Sequence, residues 1–277
     1  MYRSQLWPRV VQPTIAVVLA AVVIGIPLWL AVITSAKSRS EANLPDLTLP
    51  SAWHLADNYA QAFSQGRILW GLFGSLLVML PAVIGVLIFG SLASWVLARR
   101  SGRLTAALYG AGISGVVLPP AVITIVLLLR QMGLASTPQG MIFVYMGMYM
   151  SVVIFFITGF VRTIPVELEE AARMDGAGPF MIFVRIILPL LRPVIATATI
   201  LVCLYIWNDV FYSFFVLGGG AVSTLPLNLY AVASSNLYQN NWNLIFAYVI
   251  MMSLPLLVVF VVAQRRIISG ITGGAVK

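Results

Sequence analysis

The residues able to do chemistry fall in two places. The first is a polar stretch, residues 162–193, that opens after Val161 with Arg162-Thr-Ile-Pro165-Val-Glu167-Leu-Glu169-Glu170-Ala171-Ala172-Arg173-Met-Asp175-Gly176-Ala177-Gly178-Pro179-Phe180 and continues through Phe183, Ile186 and Leu188-Pro189 to Pro193. The second is Asp209, the one acid inside an apolar run, beside Tyr205, Trp207 and Asn208. No catalytic set accompanies either. His54 and Cys203 are each the only residue of their type, which excludes a metal site of His and Cys ligands and leaves no Ser-His-Asp or Cys-His arrangement. A phosphate-binding loop needs Gly-Lys followed by Ser or Thr, and the two lysines, Lys37 and Lys277, follow Ala36 and Val276. Any ATP must be handled by another polypeptide.

The polar stretch has helix grammar. Pro165 suits a first turn, and Glu167, Glu169 and Glu170 place negative charge at the positive end of a helix dipole. Glu169 and Arg173 are an i, i+4 pair in the favoured order. Gly176 permits a chain reversal, and Gly178-Pro179 starts a second short helix. Ala171 and Ala172 form a bare patch where another surface can approach the backbone. That patch reads as a docking knob for a partner; an amphipathic connector lying on the membrane is the plainer alternative.

These segments hang on a chain that is 61% hydrophobic and 9% charged, against about a quarter charged in soluble domains. The fold expected is an all-α integral membrane protein, read as a single transmembrane domain over residues 1–277. About six apolar runs are long enough to cross a bilayer: Val11–Ser35, Leu69–Ala98, Leu104–Leu129, Gly140–Val161, Val194–Leu217 and Leu244–Ala263. Arg3 and Arg9, then Arg99, Arg100 and Arg103, then Arg162, Arg173, Arg185 and Arg192, and finally Arg265, Arg266 and Lys277 fall on one side of such an arrangement, so both termini are expected in the cytoplasm. The net charge of +8 then reflects topology and anionic lipid headgroups; nucleic acid is not an expected partner. Pro27, Pro81, Pro119-Pro120 and Pro255 would kink spans, as suits a bundle that opens and closes, although proline is also simply common in membrane helices. Gly71 and Gly74, Gly85 and Gly90, and Gly110, Gly112 and Gly115 offer faces for close helix packing.

The string Glu170-Ala171-Ala172, Asp175-Gly176-Ala177, Phe183, Ile186, Leu188-Pro189 and Pro193 resembles the EAA loop of permease subunits of bacterial ATP-binding-cassette (ABC) importers. Leu49-Pro50 with Asp57-Asn58-Tyr59, then Trp207-Asn208-Asp209, Thr224-Leu225-Pro226-Leu227 and the tail 264–277 are similar to the carbohydrate-uptake branch of that family, in its MalG-like half. Arg266 stands where an aromatic commonly follows Gln264-Arg265, and the usual last glycine is missing. The resemblance implies a type I importer transmembrane domain whose coupling helix, carried by residues 162–193, docks on an ATPase dimer. It further implies ATP and Mg in the ATPase subunits with no cofactor here, a second MalF-like permease, an external solute-binding protein, and a cell-membrane location in a bacterium or archaeon. The coupling residues would be Glu170, Ala171, Ala172, Arg173, Asp175, Gly176 and Ala177, with Glu170 pairing a basic residue of the ATPase.

Tyr205, Trp207, Asn208 and Asp209 are candidates for the translocation path, because intramembrane charge faces a cavity or a partner and aromatics stack on sugar faces. A helix contact with the second permease is the alternative for Asp209. Solutes left open include sugars, oligosaccharides, polyols and glycerol phosphate derivatives. From other classes, an ion-driven secondary carrier would show several intramembrane ionisable groups, where Asp209 stands alone, and a scaffold without transport would still need a docking loop.

Overall fold

In this computed structural model the backbone is described for residues 11–236 and 241–275, and side chains for residues 11–235 and 241–261. Arg3, Arg9 and the side chains of the tail 264–277 lie outside the described residues.

The described regular structure is helical throughout. In chain order it comprises α1 (Gln12–Ala36), α2 (Leu55–Gln65), α3 (Ile68–Arg99), α4 (Arg103–Ser114), α5 (Val122–Gln131) and α6 (Pro138–Val161). After these come α7 (Glu167–Met174), α8 (Pro179–Leu190), α9 (Arg192–Trp207), α10 (Phe211–Leu217), α11 (Leu225–Asn236) and α12 (Trp242–Ala275). The chain divides into two compact units, one built from Met1–Leu69 and Asn228–Pro255, the other from Trp70–Leu227 and Leu256–Lys277.

Among the described residues, α1, α3, α6 and Trp242–Val261 of α12 are long and apolar enough to cross a membrane; α8 with α9, bent by 74° at Leu191, makes a fifth if the pair is one span. Two of the six expected runs are therefore not continuous helices. Leu104–Leu129 breaks after Ser114, and helix resumes only at Val122. Adjacent Pro119 and Pro120 lack two amide donors, and each proline drives the residue before it out of helical geometry. Val194–Leu217 breaks after Trp207, at Asn208-Asp209-Val210.

Single prolines are absorbed differently. A π turn, Ala21–Gly25, lies just before Pro27, and another, Phe183–Ile187, just before Pro189. The wider turn relieves the clash of a proline ring with the carbonyl four residues earlier, so both helices continue. The expected short second helix at Gly178-Pro179 consequently runs on to Leu190.

In the second unit α6 is central, packing against α4, α9 and α10. Its Met141, Tyr145, Val153, Ile157 and Val161 are fully buried, as are Val78, Ala82 and Val86 of α3 and Ala198 and Val202 of α9. Gly90 shows why a small residue is needed between α3 and α6: a Cβ there would sit 2.5 Å from Val153 Cγ1. Gly110, by contrast, faces open space.

In the first unit Asn58 of α2 closes the end of α1. Its Nδ2 donates to the carbonyls of Ser35 (2.9 Å) and Lys37 (2.8 Å), and its Oδ1 accepts from Asn243 Nδ2 at 2.8 Å. These bonds satisfy carbonyls that a helix end leaves without partners. Lys37, nearly inaccessible, is ion-paired to Asp46 and bonded to Thr48 Oγ1.

Candidate functional site

The polar segment between α6 and α9 folds as its sequence predicts, around a residue whose role the sequence did not reveal. Glu169 is the only buried residue of α7, with an accessibility of 0%. Its Oε1 accepts from Arg99 Nε at 2.7 Å, both carboxylate oxygens accept from Trp95 Nε1 at 3.2 Å, and Oε2 receives Arg173 Nη2 at 3.4 Å. The i, i+4 pair of Glu169 and Arg173 thus forms, as part of a larger cluster. Arg99 also donates from Nη2 to the Ile164 carbonyl at 2.8 Å, and the Trp95 ring lies 5.5 Å from that of Phe183. The last turn of α3 therefore grips both α7 and the residues leading into it. A buried carboxylate is tolerable only with such pairing and hydrogen bonding.

With Glu169 turned inward, the opposite stripe of α7 is bare. Glu167, Glu170, Ala171 and Met174 recur at i, i+3, i+4 and i+7, one helix face, and all are exposed; Met174 is 89% accessible. The helix ends in a Schellman turn: Ala177 N donates to Ala172 O (2.9 Å), Gly176 N to Arg173 O (3.0 Å), and Gly176 adopts φ +82°. Beside that turn, Ala172, Asp175, Ala177, Met181 and Arg185 line a groove of about 370 Å³. All seven sequence candidates for coupling are brought together here: Glu170 and Ala171 lie on the open stripe, Arg173 on the Glu169 cluster, and Ala172, Asp175, Gly176 and Ala177 around the turn.

The candidates near Asp209 are placed on two sides. Trp207 is buried, at 5% accessibility. Asp209 occupies the break between α9 and α10, where Oδ1 accepts from Tyr212 N (3.1 Å) and Oδ2 from Ser213 N (2.9 Å), Ser213 Oγ (3.2 Å) and Tyr145 Oη (2.8 Å). Its carboxylate caps α10, satisfies amides that a helix start leaves bare, and joins α10 to α6. Tyr205 and Asn208 face outward. Tyr205 stacks on Tyr149 with centroids 5.6 Å apart and planes at 10°, while Asn208 Nδ2 turns back to the Leu204 carbonyl at 2.8 Å.

Sequence reasoning missed Trp95, Arg99, Tyr145, Tyr149 and Ser213. A signal existed for the first two: they are i, i+4 on one helix face, an indole and a guanidinium at the end of an otherwise apolar helix. Tyr145 and Ser213 carried none, since a tyrosine or serine in a membrane helix usually packs or bonds its own backbone.

Among known proteins, the chain is 34% identical to the melibiose/raffinose/stachyose import permease protein MelC of Bacillus subtilis, over 91% of each chain. It is 29% identical to the diacetylchitobiose uptake system permease protein NgcG of Streptomyces coelicolor, over 94% of this chain and 86% of that one. A solved structure, a bacterial ABC transporter involved in the import of the acidic polysaccharide alginate, contains a chain of the same fold: the TM-score is 0.77 at 19% identity, covering 96% of this chain and 98% of that one. The family model for the binding-protein-dependent transport system inner membrane component matches residues 86–272, which include the whole α7 segment. The protein therefore belongs to the family of inner-membrane components of binding-protein-dependent transport systems.

Proposed function

We propose that this chain is the MalG-like permease subunit of an ATP-driven importer for a sugar or oligosaccharide. It pairs with a MalF-like permease, docks through residues 162–193 on an ATPase dimer that holds ATP and Mg, and receives solute from an external binding protein. The observation that carries the docking is the two-faced α7. Its inner face is held by Glu169, and its outer stripe of Glu167, Glu170, Ala171 and Met174 is uncovered beside a groove. A small, partly apolar stripe is suited to sit in a partner's cleft, with Glu170 placed to pair with a basic residue there. In this arrangement α7 and both termini are cytoplasmic, a reading supported by the bias of arginine to that side.

Sugar as the solute class is supported by what MelC and NgcG are named for. The stacked Tyr149 and Tyr205, with Asn208 beside them, supply the flat aromatic face and amide that a pyranose ring would meet. Asp209 acts behind that face, keeping the helix break in shape. Its hydrogen bonds to one helix start and one tyrosine give no support to an ion-driven carrier.

The test is purification of the tagged chain from its native membrane. Recovery of an ATPase and a second permease, with ATPase activity raised by binding protein and sugar, is the expected result, and Glu170→Ala or Gly176→Pro should release the ATPase. A chain that comes alone and moves solute in liposomes without ATP would overturn the reading.

A further inference from the structure

We propose that the Glu169 cluster is the joint through which movement of α7 reaches α3, so that Arg99 and Trp95 are positioning residues for coupling. The inference rests on the importer reading above and adds a route to it. Along the chain, α7 is continuous with α8 through the Gly176 turn, and that backbone path alone could carry motion to α9. The structure provides a second path. Glu169 is the one fully buried side chain of α7; Ala172 is half-buried and Leu168 and Met174 are exposed, so no large hydrophobic side chain seats the helix on the unit. The Glu169 carboxylate meets two donors of α3 one helical turn apart, Trp95 Nε1 and Arg99 Nε, at 3.2 and 2.7 Å. Arg99 reaches with its other arm to the Ile164 carbonyl, so α3 holds the segment before α7 as well as α7 itself.

A charged joint whose carboxylate accepts from several fixed donors keeps a defined geometry, where an apolar contact would slide. Displacement of α7 must then draw the end of α3 with it, and α3 is a membrane-length helix. The outer stripe of α7 remains free for the partner, so docking and transmission use opposite faces of the same eight residues.

The test uses the whole complex of both permeases, ATPase subunits and binding protein in liposomes, and reads solute taken up per ATP hydrolysed. Glu169→Gln removes the charge at constant volume. Arg99→Lys keeps the charge and loses the fork. Trp95→Phe removes one N–H while keeping a ring against Phe183. The expected result is a complex that retains its ATPase subunits, with uptake per ATP reduced roughly three- to thirtyfold for Glu169→Gln and less for Arg99→Lys and Trp95→Phe.

Uptake per ATP equal to that of the unaltered complex in all three variants, including the case where both rates fall in proportion, would overturn the proposal. So would loss of the ATPase subunits from Trp95→Phe, because the cluster would then serve docking. If the unaltered complex shows no ATP-driven uptake, it is the importer reading that fails.

Discussion

Two acids tie helices of the second unit together, and they are held in different ways. Glu169 has no accessible surface and is met by a guanidinium, an indole and a second arginine. Asp209 is half-buried and is met by neutral donors only: two amides, a serine and a tyrosine hydroxyl. The difference follows from where each sits. Asp209 lies just before α10, where its carboxylate reaches two amides that the helix start leaves bare. Glu169 lies on the inner side of α7, where a cation from a distant helix has to stabilise it. One acid caps its own neighbourhood; the other ties together residues 70 positions apart in sequence.

The largest effect should come from removing one partner of the charged cluster. Glu169→Ala leaves Arg99 unpaired and should cost about 3–5 kcal/mol, read as lowered thermal stability of the purified protein in detergent. Asp209→Ala leaves neutral groups and a lost cap, for about 1–2 kcal/mol, whereas Asp209→Asn should lose less because it retains an acceptor. Equal losses for Glu169→Ala and Asp209→Ala would remove the distinction between charged and neutral anchoring.

Gly176→Ala should cost about 1 kcal/mol, from left-handed backbone strain alone, since a Cβ there meets nothing within 4 Å. Its effect should be confined to the turn, visible as faster hydrogen exchange of the Gly176 and Ala177 amides. Glu170→Ala should change stability by less than about 0.5 kcal/mol while weakening recovery of the ATPase, which separates the open stripe of α7 from its anchored one.

A third, surface carboxylate sharpens the contrast. The Lys37 amine and Thr48 hold Asp46 down from 3.8 to about 2. Because the folded value lies below the unfolded one, the order this pair gives to the loop is complete above about pH 4 and is lost as pH falls through about 2. Asp46→Asn should therefore abolish that acid-dependent loosening, followed by proteolysis of the segment between α1 and α2.

Membrane class, the long helices and the helix, turn and helix of residues 162–193 were legible because each depends on local composition. Runs of apolar residues specify spans, and Pro165, the acids after it and Gly176 specify a helix and a turn; four of the six runs, the helix and the turn appear where expected. The breaks at Pro119-Pro120 and Asn208 were less legible, because one proline can be absorbed by a π turn, as before Pro27 and Pro189, and two adjacent ones cannot. Glu170 drew attention as part of a pattern while its neighbour Glu169 carries the internal bonds: adjacent helix residues point about 100° apart, and composition does not say which faces inward.

By itself the sequence determined that the chain lives in lipid and that residues 162–193 form a helix, a glycine turn and a second helix. These are consequences of hydrophobicity and local backbone preference, neither of which needs a distant partner. The tertiary structure alone decided that Glu169 belongs to Arg99 and Trp95, that Asp209 belongs to Tyr145 and Ser213, and which side of α7 is left open. Except for Ser213, which is local to Asp209, those are pairings between groups 64 to 74 residues apart, whose energies arise only when burial removes competing water and leaves each charge a single place to go.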